Sequence, residues 1–75
     1  MSNQAEMKAA MNERMNTLGG RTLTQTWETK SGVRLTINAH NDGTLSACPW
    51  TANPKGIYDR EVIERFMSIS QPIEA

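Results

Sequence analysis

Two turns of the same chemistry, Lys30-Ser31-Gly32 and Asn41-Asp42-Gly43, bracket one alternating run and leave this chain few folds to choose from. Each triplet suits a three-residue hairpin, a type I turn closed by a residue in the left-handed region, where glycine meets no Cβ penalty. Between them Val33, Leu35, Ile37 and Ala39 alternate with Arg34, Thr36, Asn38 and His40, the period of a half-buried strand. Such turns pair Thr29 with Val33 and His40 with Thr44. Trp27 then opposes Leu35, Gln25 opposes Ile37 and Leu23 opposes Ala39, while Ala39 meets Leu45 and Ile37 meets Ala47 on the other side. A two-residue turn at Asp42-Gly43 would slip the register by one and send Leu45 to the polar face. The longer turn is therefore preferred, and strands are expected over 21–29, 33–40 and 44–50.

Helical periodicity flanks this meander. Asn3 and Glu6 resemble a capping box, and Met7, Met11, Met15 and Leu18 recur at helical spacing before Gly19-Gly20, predicting a helix over 3–18. Arg14 falls inside that apolar stripe, where it must snorkel, find an acid or face a partner. Asp59 is placed to cap a second helix over 59–70. Val62, Ile63, Phe66, Met67 and Ile69 form its apolar arc, and Arg60–Glu64 and Glu61–Arg65 are spaced as surface pairs. Pro72 then ends or follows the helix, and 71–75 reads as a loose tail. The expected architecture is one small α+β domain over 1–75, ordered α-β-β-β-α, a three-stranded antiparallel meander with two helices packed on one face. Its core should join Leu23, Trp27, Val33, Leu35, Ile37, Leu45 and Ala47 to Met11, Leu18, Val62, Phe66 and Ile69. Helix–meander–helix order resembles that of double-stranded RNA-binding domains. Tyr58-Asp59-Arg60-Glu61 lacks the basic cluster that such domains carry at the start of their second helix, so the family is not assigned.

Composition narrows the chemistry. Eight basic and eight acidic residues cancel over 75 positions, which argues against a strongly electrostatic grip on nucleic acid or on an anionic membrane. One cysteine forms no internal disulfide, and the apolar runs are too short for a membrane span or a leader. A cytoplasmic protein is expected.

No catalytic, cofactor-binding or metal site is expected. His40 and Cys48 are the only soft ligands, too few for zinc. Cys48 lies opposite Thr36, roughly 13 Å along the sheet from His40, beyond the reach of a nucleophile–base pair. Glu61 and Glu64 are interleaved with Arg60 and Arg65 on a solvated face, and Gly19-Gly20 precedes a strand rather than a phosphate-binding helix.

What remains is surface. The outward rows read Thr22–His40–Thr44, Thr24–Asn38–Ser46, Thr26–Thr36–Cys48 and Glu28–Arg34–Trp50. Trp50 is either a structural residue folded under the Pro54 loop or an exposed anchor of the kind enriched at binding hot spots. Pro49 blunts the edge of strand three, whereas the threonine-rich strand one presents an open edge. Candidate binding residues are Trp50, Arg34, Glu28, Thr22, Thr24, Thr26 and Arg14. The expected function is a non-catalytic protein-interaction module: an adaptor, inhibitor or regulatory accessory protein of the size carried by bacteriophages and mobile elements. Its partner is a protein or a second copy, met through strand one or helix one. A nucleic-acid-binding module using the polar sheet face or the start of helix two is the alternative.

Overall fold

Gly32 and Gly43 take φ values of +94° and +87° at the third position of their turns. These turns close as hairpins: the Thr29 N–H donates to the Val33 carbonyl and the His40 N–H to the Thr44 carbonyl, each at 2.9 Å. The computed structural model describes residues 4–49 and 58–73. Its elements are α1 (Gln4–Met15), β1 (Leu23–Thr29), β2 (Arg34–Ala39), β3 (Leu45–Cys48), α2 (Arg60–Ser68) and β4 (Ser70–Ile73). The expected register is present from Leu23 with Ala39 to Glu28 with Arg34 and from Thr36 with Cys48 to Ala39 with Leu45, including Trp27 with Leu35 and Ile37 with Ala47.

The sheet has four antiparallel strands in the order β3-β2-β1-β4, one more than expected. Ser70-Gln71-Pro72-Ile73 is a strand, where the sequence predicts the end of helix two at Ser70 and a loose tail from Gln71, and it covers β1 from Thr26 to Thr29. The parity of the ladder explains how a central proline is accepted. The Thr29 bond to Val33 directs the main-chain groups of odd β1 residues toward β2, so even residues face the other side. There Glu28 meets Gln71 and Thr26 meets Ile73. Pro72 therefore turns its missing N–H to the outer edge and forfeits no ladder bond. From Thr26 to Thr29 strand one is therefore no edge, contrary to the expectation of an open one.

Both helices pack on the inner face. Met11 and Met15 from α1 and Ile63 from α2 join Trp27, Leu35, Ile37, Ala39, Leu45 and Ala47 in one cluster, with Leu23, Phe66 and Met67 partly buried against it. Leu18, Val33 and Ile69, expected in that core, are exposed, and Val62 is half-buried. Ile69 is the C-cap residue of α2, where the chain reverses into β4. Val33 belongs to the turn and not to β2.

Leu18 misses the core because α1 stops a turn early. The Asn16 and Thr17 amides donate back to Glu13 and Arg14 carbonyls, and the Asn16 and Thr17 side chains donate to the carbonyls of Asn12 and Glu13. That tightened turn swings Leu18 onto the β2–β3 hairpin, where a Cβ at Gly43 would stand 3.1 Å from its Cδ2. The Gly19 amide bonds to the Asn41 carbonyl at 2.7 Å. Arg60 completes this junction: Nη1 donates to the carbonyls of Met15 and Gly43, both at 3.2 Å. Helix two begins at Arg60 with Asp59 as its cap, the carboxylate accepting the amides of Glu61 and Val62.

Candidate functional site

With α1 and α2 on the inner face, no described element covers the outer one. Period-2 alternation delivers Thr24, Thr26 and Glu28 from β1, Arg34, Thr36 and Asn38 from β2, and Ser46 and Cys48 from β3 to that surface. Short polar side chains at cross-strand distance bond to one another rather than to water. Thr24 Oγ1 donates to Asn38 Oδ1 at 2.6 Å, and Asn38 Nδ2 donates to Ser46 Oγ at 3.3 Å. Ser46 Oγ lies 2.7 Å from His40 Nε2. Thr26 and Thr36 hydroxyls share a hydrogen at 3.4 Å. At the far end Arg34 Nε reaches Glu28 Oε2 at 2.6 Å, the cross-strand pair expected from the register.

These bonds tie the predicted residues Thr24, Thr26, Glu28 and Arg34 into one face. Trp50, expected beside Arg34, lies outside the described residues. Thr22 is exposed ahead of β1. Arg14 finds no acid among the described residues and turns to the end of its own helix, where Nη2 donates to the Thr17 carbonyl at 2.6 Å and also to that of Gly19. This serves the unpaired carbonyls at a helix C-terminus and suits the negative end of its dipole.

Sequence reasoning missed the His40–Ser46 contact, because adjacent rows of the ladder were read separately. His40 lies one row beyond Ser46, and a ring is long enough to lean across. The 2.7 Å spacing is that of a nucleophile and its base. A working pair also needs a group that orients the imidazole. No described residue accepts from the other ring nitrogen, and Asp42 Oδ1 is engaged by the amide and hydroxyl of Thr44. Those two bonds hold the Asp42 carboxyl below its ordinary value of 3.8.

On the helix side, an open cleft of about 310 Å³ runs between Lys8, Asn12 and Met15 of α1 and Glu64 and Met67 of α2, with Trp27 on its floor. A groove of about 390 Å³ lies between α1 and the start of β1, lined by Ala10, Glu13, Arg14, Arg21, Thr22 and Leu23. Three buried polar atoms have no hydrogen-bond partner among the described residues: Arg14 Nε, Gln25 Oε1 and Trp27 Nε1. No group of three His, Cys, Asp or Glu side chains among the described residues is placed to hold a metal, and no described helix is long and apolar enough to cross a membrane. Comparison with family models, curated proteins and solved structures finds no match to this chain.

Proposed function

We propose that this chain is a non-catalytic protein-interaction module whose docking surface is the outer face of the sheet. The supporting observation is the hydrogen-bonded order of that face, Thr24–Asn38–Ser46–His40 with Thr26–Thr36 beside it. Side chains held by one another have already lost rotamer freedom, so a partner meets a surface whose ordering cost is reduced. Its charge is self-compensated, Arg34 being engaged by Glu28. That favours a polar protein surface over a polyanion, which would need unpaired cations in a row.

Affinity capture from the native host, followed by mass spectrometry, tests the reading. A protein retained by the wild-type chain and by the helix-surface variant Glu61→Gln, but lost with a folded Thr36→Arg variant, supports it. Equal retention by Thr36→Arg places the contact elsewhere. Salt-dependent retention of a single-stranded oligonucleotide, abolished by Thr36→Glu, would establish the nucleic-acid alternative instead.

A further inference from the structure

The hydrogen-bonded row on the outer face ends on a group that can change its charge. Thr24 Oγ1 donates to Asn38 Oδ1, Asn38 Nδ2 donates to Ser46 Oγ, and Ser46 Oγ meets His40 Nε2. With both ends of the amide engaged in this orientation, the Ser46 hydrogen has one acceptor left in the row, the Nε2 lone pair. Ser46 is buried, and no other described residue bonds to its hydroxyl. Every hydrogen in the row therefore points the same way, from Thr24 toward His40. That polarity requires an imidazole with Nε2 bare and its hydrogen on Nδ1. Imidazole is also the side chain whose charge ordinarily changes within the physiological pH range. A proton on Nε2 would set two donors against each other across 2.7 Å. The acid beside the ring is Asp42 on the same turn, whose carboxylate feels the His40 charge. The cations around this hairpin are Arg60, which reaches the Gly43 carbonyl from α2, and Arg14, which holds the Gly19 carbonyl where that residue's amide meets Asn41. Arg21 precedes Thr22, the position that extends the β1 register opposite His40. None of these groups hydrogen-bonds to the imidazole, whose bond among the described residues is to Ser46.

We propose that His40 is a proton switch that reverses the polarity of this row and displays its own charge state at Thr24, on the far strand of the meander. Once charged, the ring donates from Nε2 to Ser46 Oγ. The Ser46 hydrogen then turns to Asn38, whose amide rotates by half a turn so that Oδ1 accepts it and Nδ2 donates to Thr24 Oγ1. The same three contacts persist with each hydrogen reversed. Thr24 is exposed. Its hydrogen is held inward at Asn38 while His40 is neutral and is released outward when His40 is charged, so the face gains a donor there. The proton comes from solvent, and only hydrogen bonds are remade. As a control on docking this rests on the outer face being the contact surface; the switch itself belongs to the free chain.

The test follows the isotopically labelled chain by NMR from about pH 8 to about pH 5, the range in which imidazole changes charge. The His40 ring nitrogens should show Nε2 bare and Nδ1 protonated at the upper end, and both protonated at the lower. The Asn38 side-chain amide and the Thr24 side chain should shift with the same midpoint as His40. Ser46→Ala cuts the row, so His40 should still titrate while Asn38 and Thr24 lose their response. Thr24→Val removes only the last link and should leave Asn38 following His40. The proposal is overturned by a neutral ring that carries its hydrogen on Nε2, or by Asn38 and Thr24 signals indifferent to the His40 transition. Responses that survive Ser46→Ala would overturn it too, being the field of the ring acting through space. Failure to capture any protein through the outer face refutes the docking reading alone, and a shared midpoint then still supports the switch.

Discussion

Pro72 stands opposite Trp27, and both side chains are buried on the helix side of the sheet. Replacing this proline tests whether the last strand is part of the core. Pro72→Asp places a carboxylate in a site without a counter-charge, which costs about 3–5 kcal/mol. Urea unfolding followed by tryptophan emission should show the midpoint fall steeply. An unchanged midpoint would mean that β4 is not docked on β1.

Ile63 and Leu18 separate the observed core from the one that helical spacing suggests. Ile63 is fully buried and Leu18 is 77% exposed. Ile63→Ala should cost about 2–5 kcal/mol, and Leu18→Ala should stay within about 0.5 kcal/mol. Comparable losses for the two would place Leu18 inside after all.

Arg60 joins three segments through two carbonyls, so its value lies in reach and donor geometry more than in its pairing with Glu64. Arg60→Ala should destabilise by roughly 1–2 kcal/mol, two partly solvated charge-assisted bonds being lost. Lysine, with one compact ammonium, should recover only part of this. Glu64→Gln should change stability by less than about 0.5 kcal/mol, because the pair is solvent-exposed. Thermal denaturation ranks the three variants, and amide exchange at Gly19 and Gly43 reports whether the junction has loosened.

Asp42 sets an acid limit on the β2–β3 turn. Its carboxyl titrates lower in the folded chain than the ordinary 3.8 because Thr44 donates to it twice. A depressed folded value means that the contribution is fully present above pH 3.8 and is lost as the pH falls through the lower, folded value. Asp42→Asn retains an acceptor for the Thr44 amide but cannot titrate. Its unfolding midpoint should therefore depend less on pH than that of wild type below 3.8, and identical acid limbs would assign the turn's acid response to another group.

The meander was legible in the residues because two independent signals agreed: the glycine positions of both turns and the alternation of β2 demand the same register. The fourth strand was not. Ser70-Gln71-Pro72-Ile73 is short and carries a central proline, local features of a helix terminus. It becomes a strand only because the far side of β1 offers it a place, a tertiary fact. The end of α1 was hidden for a related reason. Leu18 continues the methionine spacing, but Asn16 and Thr17 redirect their side chains to carbonyls one turn back, and Arg14 closes the end. Of the outer sheet face, the row Thr24–Asn38–Ser46 and the pair Glu28–Arg34 followed from the register. The diagonal from Ser46 to His40 depended on a side-chain angle that spacing does not encode.

Because β4 arrives after α2, a newborn chain completes its sheet last and from a distance. During synthesis the meander and both helices have left the ribosome before residues 70–73 can reach β1. Until then the flank beside Trp27 is a bare strand side in a crowded cell, the kind of surface that pairs with other unfinished chains. A proteolytic clip ahead of Ser70 would recreate that state in a mature molecule. The four residues Ser70–Ile73, which carry no strand pattern of their own, are thus the ones that cover this flank of β1.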